Sequence, residues 1–279
     1  MQDTSKPRSD TSVLPVKSAK RVLDVLELLA SEPRAMALHE ISAAVGMPPS
    51  SAHRLMSTLV DAGFVDQNDK RYELSMKWFA LMSATLASAG TSGSSNLRQV
   101  AYPVMLELAA DFKVTCNLAV LQGRDVVYIE KVDGGPFGIG THIGGVLPAH
   151  ATALGKSLIA GMSEERREEW LGVGNYRALT PNTMTSVDGL RRELEEIRQL
   201  GYAVDDEEWH LGIACMASAI PGRTGEPVGA ISVSSVKPSM LGLGFDVVGA
   251  RVREAAERIG TVLGSHHHAP TALVSQAVE

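Results

Sequence analysis

Aromatic side chains are scarce, 5% of 279 residues. A stacking platform for single-stranded nucleic acid needs several in one place, so that class is disfavoured. Cysteine is rarer still. Cys116 and Cys215 form neither a disulfide framework nor a C-x-x-C site, and a reducing cytoplasm is the simplest compartment to expect. There is no run of about 18 apolar residues, so no membrane span is expected. The opening MQDTSKPRSDTS is polar and lacks the apolar region of a secretory signal. Neither G-x-S-x-G nor H-E-x-x-H occurs. Gly155-Lys156-Ser157 resembles the end of a phosphate-binding loop, but His150 stands where its first glycine is required. The run His266-His267-His268 sits in a Pro/Ala tail and reads as disorder rather than a metal site. No cofactor and no resident metal are expected.

What is present suits a globular protein: 44% hydrophobic and 21% charged residues. The length suggests two domains at roughly 100–200 residues each, or one large one. The net charge of -6 is unevenly spread. Residues 1–90 carry ten Lys+Arg and ten Asp+Glu, and the remainder carries 16 and 22. A polycation that binds nucleic acid over its whole surface is excluded, while a local DNA-facing surface in the first part is allowed.

Residues 1–14 are Ser/Thr/Asp/Pro-rich and read as disordered. A helix starts near Lys17, with Val22, Val25, Leu26 and Leu29 on one stripe. Residues 38–45 read as a second helix. Gly46-Met47-Pro48-Pro49 breaks the chain, and residues 50–62 form a third helix stopped by Gly63. Residues 64–66 and 71–74 read as two strands around the polar turn Gln67–Lys70. Residues 75–89 form a further helix, with Trp78, Leu81, Met82 and Leu86 as an apolar stripe expected to meet the same helix of a partner chain. The Gly/Ser-rich stretch 90–96 is the expected hinge. Beyond it, residues 97–112 read as a helix, 114–121 and 125–132 as a hairpin, 150–161 and 187–200 as helices, 201–208 as containing a strand, and 212–221 with 227–235 as a second hairpin. A last helix spans 243–263, and 265–279 reads as an unstructured tail. Strands and helices do not alternate strictly, so the fold class is α+β with a largely antiparallel sheet.

The third helix carries Ala52, Leu55, Met56, Leu59 and Val60 on one face and Ser50, His53, Arg54, Ser57 and Asp61 on the other. Alone, this is as much an ordinary amphipathic helix as a DNA reader. The helix before it and the wing after it favour a winged helix–turn–helix. Arg54 can bond guanine bidentately or a phosphate. Ser50 and Ser51 can offer hydroxyl and backbone N–H groups to phosphate, with His53 and Ser57 on the same face. Lys70 and Arg71 in the wing can reach the DNA backbone or minor groove, although a plain charged turn explains them nearly as well.

These features together resemble the IclR family of bacterial transcriptional regulators. The resemblance rests on SAKRVLDVLELLA, EISAAVGMPPSSAHRLMSTLVDAGFV and RYELS in the first part. In the second it rests on LPAHATALGKSLIA, GYAVDDEE, GIACMASAI and PVGAISVS. It spans about Lys17 to Gly264 and implies a winged helix–turn–helix over 15–74, a linker over 75–96 and a GAF-like effector-binding domain over 97–264. It also implies homodimers, often paired into homotetramers, on double-stranded operator DNA. Repression is the commoner family mode, and the sequence does not separate repressor from activator. His39 stands where the family often caps the second helix with Ser or Thr, Ser75 replaces a common glycine, and Pro49 removes one possible backbone contact.

For the effector, the helix start near His150 offers the amides of Ala153 and Leu154, with Leu147 beside them. Ser232 and Ser234, two apart on a strand, present paired hydroxyls on one face. The resemblance carries Asp205 and Cys215 to the pocket, and Ile213 adds apolar wall. These groups suit a small organic acid, with an aromatic one among the candidates. Asp205 would repel an anion unless it bonds a donor at the ligand's far end, the favoured option, or is protonated. His150 reads as a structural histidine, and Asp206, Glu207 and Glu208 as solvent-facing or structural. Two other classes are weighed. A small-molecule enzyme or sensor is opposed by the missing catalytic constellation, and an architectural DNA binder by the elaborate second domain.

Overall fold

A computed structural model describes residues 16–81, 93–136 and 138–265. The chain divides into two compact units at Ser88/Ala89. No described helix is long and apolar enough to cross a membrane.

The first unit contains α1 (Lys17–Ser31), β1 (Met36–Ala37), α2 (Leu38–Ala44), α3 (Pro49–Asp61), β2 (Val65–Asn68) and β3 (Arg71–Leu74). A further helix, α4, is described over 77–81. Val25, Leu29, Ile41, Met56 and Val65 close its core. The expected two-stranded wing is three-stranded, because β1 pairs with β3 through Met36 and Tyr72. Two residues are too short to leave a period-2 signature. The turn is also tighter than expected: Gln67 and Asn68 are paired, and Asp69 and Lys70 alone make the reversal, both at positive φ. Pro49 opens α3 at its first helical position, where a missing N–H costs nothing.

His39 is not the cap of α2. Ala37 holds that place, and its N–H donates to Glu40 Oε2 at 2.7 Å. Ser75 is productive where glycine is common, since its hydroxyl donates to the Gly63 carbonyl and accepts from the Lys77 N–H. Trp78 corrects the expected stripe. Its indole N–H donates to the Phe64 carbonyl at 2.9 Å, and the two rings lie 4.9 Å apart. It is therefore packed into its own unit, while Phe79 and Leu81 are exposed. Met82 and Leu86 lie outside the described residues.

The second unit is built on one six-stranded antiparallel sheet. Its strands are β4 (Thr115–Gln122), β5 (Asp125–Asp133), β6 (Val146–Pro148), β7 (Ala203–Asp206), β8 (Ile213–Pro221) and β9 (Pro227–Val236), in the order β6-β5-β4-β9-β8-β7. One face is covered by α5 (Gly93–Phe112) and α10 (Phe245–Ser265) over Cys116, Leu118, Met216, Ile231 and Val233. The other is covered by α6 (Ala153–Ala160) and α8 (Val187–Leu200) over Ala119, Tyr128, Ala203, Ala217 and Ala230. Alanines on that face let α6 sit close to the sheet, and all eight of its residues are buried. Helices α7 (Glu164–Gly172) and α9 (Lys237–Leu243) complete the unit.

Two expected boundaries move. Gly93–Asn96 are the first turn of α5 rather than hinge, and Ser265 is the last residue of α10 rather than tail. The helix expected over 150–161 is a 3-10 turn, Ala149–Ala151, followed by α6.

Candidate functional site

In the first unit, burial of Ala52, Met56 and Leu59 turns the opposite side of α3 outward. Ser50, His53, Arg54 and Ser57 are exposed on it and Ser51 is half-buried. The Ser51 amide is already bonded to the Pro48 carbonyl at 2.9 Å. Of the two serines, Ser50 is therefore the one whose backbone N–H is left for a phosphate. Lys70 stands exposed at the tip of the wing. Arg71 differs, because its guanidinium donates to the Ala35 carbonyl at 3.0 Å and to Glu40 Oε2 at 3.4 Å. Glu40 also receives Arg34 through two bonds. The Arg34 bonds, the Ala37 amide and the charge of Arg71 hold its carboxyl at about 2. Arg71 thus braces the wing against α2 rather than standing free.

In the second unit, the sheet register gathers the expected effector residues. Asp205 lies opposite Cys215, and Cys215 opposite Ser234. Ser232 lies opposite Asn117 of β4. Ser232 and Ser234 point to one face and are 1% and 3% exposed. Across from them, Thr152 caps α6 by accepting the Gly155 N–H at 3.1 Å. The amides of Ala153 and Leu154, the first two of the helix, have no partner inside it. Ala153, Leu154, Asp205, Cys215, Ser232 and Ser234 all line one cavity. Its enclosed space is about 10 Å³, room for one water.

Leu147 and Ile213 do not line it. Leu147 sits on β6 opposite Val126 and packs against the core beneath α6, and Ile213 lies at the end of β8 opposite Val236. Tyr128, Ile139, Thr141, Thr152 and Trp209 line the cavity without having been expected. Of these, Thr152 alone left a signal, as a hydroxyl residue preceding an apolar helical run. Asn117 is 1% exposed, accepts from the Thr141 hydroxyl at 2.9 Å and donates to Ser234 Oγ at 3.5 Å. That leaves the hydroxyl hydrogen of Ser234 to donate.

Asp205 is 2% exposed. Its Oδ1 accepts the amides of Glu208 at 2.7 Å and Trp209 at 3.3 Å. Burial nevertheless dominates and pushes its carboxyl up to about 7, against the pull of those amides and of Lys156. Nearby, Lys156 is 0% exposed and ion-paired with Glu193 and Glu208. Burial would lower its ammonium, but the two carboxylates outweigh that and hold it charged. The Gly155-Lys156-Ser157 run is thereby explained without phosphate. Gly155 lies so close to the 3-10 turn that a Cβ would meet the Ala149 backbone at 2.2 Å, and Lys156 is a core ion pair. Asp206 and Glu207 both pair with Lys237, so the four-carboxylate run is divided among three tasks. His150 is structural: its Nε2 lies 3.1 Å from the Arg177 carbonyl and its ring packs edge-on to Tyr176. Among the described residues no cluster of His, Cys, Asp or Glu could hold a metal ion.

The IclR helix–turn–helix domain matches residues 18–69, and the bacterial transcriptional regulator IclR C-terminal domain matches residues 90–261. The chain belongs to the IclR family. It is 33% identical to the HTH-type transcriptional regulator XynR of Escherichia coli K12, over 89% of this chain and 96% of that protein. It is 33% identical to the acetate operon repressor of Salmonella typhimurium, over 93% and 95%. The crystal structure of an IclR homologue of Microbacterium hydrocarbonoxydans, complexed with 4-hydroxybenzoate, has a TM-score of 0.70. It shares 27% identity, over 88% of this chain and 98% of that one. The protein is therefore a transcriptional regulator and not an enzyme, and regulators of this family bind operator DNA through the helix–turn–helix.

Proposed function

We propose that this IclR-family regulator is a repressor whose second unit senses a small organic acid, an aromatic acid being one candidate. The observation that carries this reading is the convergence of donors on one cavity. The Ala153 and Leu154 amides at a helix start meet the hydroxyls of Ser232 and Ser234. A carboxylate there gains charge-assisted bonds from donors already fixed in place. Cys215 and Tyr128 supply apolar wall, and Asp205 takes a donor at the ligand's far end. The relative complexed with 4-hydroxybenzoate has this two-ended chemistry, a carboxylate opposite a hydroxyl. The name of the Salmonella relative supports repression of metabolic genes. A cavity that holds one water requires the lining to withdraw around any such ligand, and that displacement is the signal the reading transmits to DNA.

In this reading α3 enters the major groove, with Ser50, Ser51, His53, Arg54 and Ser57 toward the DNA and Lys70 at its flank. The protein acts as a homodimer or homotetramer on double-stranded operator DNA, with two α3 helices roughly 34 Å apart. Calorimetry on Ser232→Ala with Ser234→Ala tests the sensor. Loss of both hydroxyls should weaken an acid that binds the wild type by about 1–3 kcal/mol. Unaltered affinity would move the site elsewhere.

A further inference from the structure

Helices α1 and α3 flank an open groove of about 460 Å³ in the first unit. Its polar lining is Ser18 and Arg21 from α1 with Ser51, Arg54 and Thr58 from α3, and no carboxylate lines it. That composition is unusual for this unit, because most of its other cations are already engaged. Lys20 pairs with Asp24, and Arg34 and Arg71 pair with Glu40. Lys77 donates to the Ala62 carbonyl and lies over the Phe64 ring. Arg21 and Arg54 are both exposed, and neither side chain has a hydrogen bond or ion pair with any described residue. Two guanidinium groups on one groove repel each other, and an anion between them relieves that repulsion. The apolar floor, including Val22, Leu55 and Leu59, supports the aliphatic stems of both arginines.

We propose that this groove is a phosphate seat for the DNA backbone, in which Arg21 of α1 grips the strand flanking the major groove while Arg54 bridges from that phosphate to the reading face of α3. The inference rests on the reading of α3 as the recognition helix and adds a contact outside it. Backbone phosphate is the fitting occupant for two reasons. The lining offers charged and hydroxyl donors with no carboxylate to oppose an anion, and the groove opens beside the exposed face of α3 through a residue shared by both. An arginine fork matches phosphate oxygens bidentately. A contact of this kind fixes orientation and carries no sequence information.

The test uses the full chain, a duplex selected by the wild type from a random-sequence pool, and a scrambled duplex of equal length. Fluorescence anisotropy is measured across a series of KCl concentrations. Arg21→Ala should weaken both duplexes by the same factor, at least about tenfold, and reduce the slope of log affinity against log salt by about 2 for a homodimer, one phosphate contact being lost from each protomer. The ratio between the two duplexes should be unchanged, and Arg21→Lys should restore most of the slope. A matching thermal unfolding curve shows that the variant folds. If Arg21→Ala leaves affinity and slope unaltered while the wild type binds, the groove is not a phosphate seat. If it lowers only the preference for the selected duplex, Arg21 reads a base and the proposal is wrong. A wild type that enriches no duplex from the pool overturns the recognition-helix reading itself, and the groove proposal with it.

Discussion

Asp205 is the residue on which the chemistry of the proposed sensor turns. Its carboxyl ionises at 3.8 when free and at about 7 in the folded chain, so the folded state holds a proton that the unfolded state releases across that interval. Stability therefore falls as pH rises from about 4 to 7, by up to about 4 kcal/mol at 1.36 kcal/mol per pKa step. Asp205→Asn should gain stability relative to wild type between pH 5 and pH 8 in urea titrations. An equal difference at both pH values would mean that the carboxyl ionises normally. In its ionised form Asp205 accepts the ligand's far-end donor, so an acid carrying such a donor should bind more tightly at pH 8 than at pH 6, and an acid without one more tightly at pH 6, where the protonated carboxyl no longer repels it. Asp205, Ser232 and Ser234 were legible in the sequence because a strand's two-residue period and a family motif both point at them. Tyr128, Thr141 and Trp209 were not. They reach the cavity from β5, a connecting loop and the turn after β7, and no local pattern encodes that convergence.

Among the elements, the helices of the first unit were legible to within a residue or two, since their apolar stripes are long and their stops are Pro and Gly. The wing was legible as a hairpin and misjudged in detail. Its turn has neither Gly nor Asn at the two positive-φ positions, where hairpins usually place them. Lys70 at φ +61 pays for that conformation, and Lys70→Gly should stabilise the fold by about 0.5–1 kcal/mol, read as a raised melting temperature. The same variant should weaken DNA if Lys70 reaches the backbone. A lowered melting temperature would mean that the turn adopts a different conformation. Trp78 was misassigned because helical spacing shows which residues share a face, not what that face meets. Phe64, fourteen residues earlier, covers it.

At the scale of the whole chain, the two units divide the labour that the charge distribution first suggested: a neutral part that meets DNA and an acidic part built around a buried pocket. Some of the carboxylates of the second part are engaged in ion pairs. Glu193 and Glu208 enclose Lys156, Asp206 and Glu207 hold Lys237, and Arg191 bridges Glu168 and Asp188. Light scattering of the full chain at micromolar concentration should give a dimer or tetramer, and a monomer bound to a single half-site would contradict the symmetric reading. The central claim is that the cavity of the second unit controls DNA binding by the first. It is tested most directly by titrating small carboxylic acids, 4-hydroxybenzoate among them, into the full chain bound to its selected duplex. Wild type and the Ser232→Ala/Ser234→Ala variant are compared by anisotropy. The account predicts that at least one acid shifts the wild-type DNA affinity and that the double variant responds only at roughly ten- to hundredfold higher concentration. A response of equal size and midpoint in both proteins would contradict it.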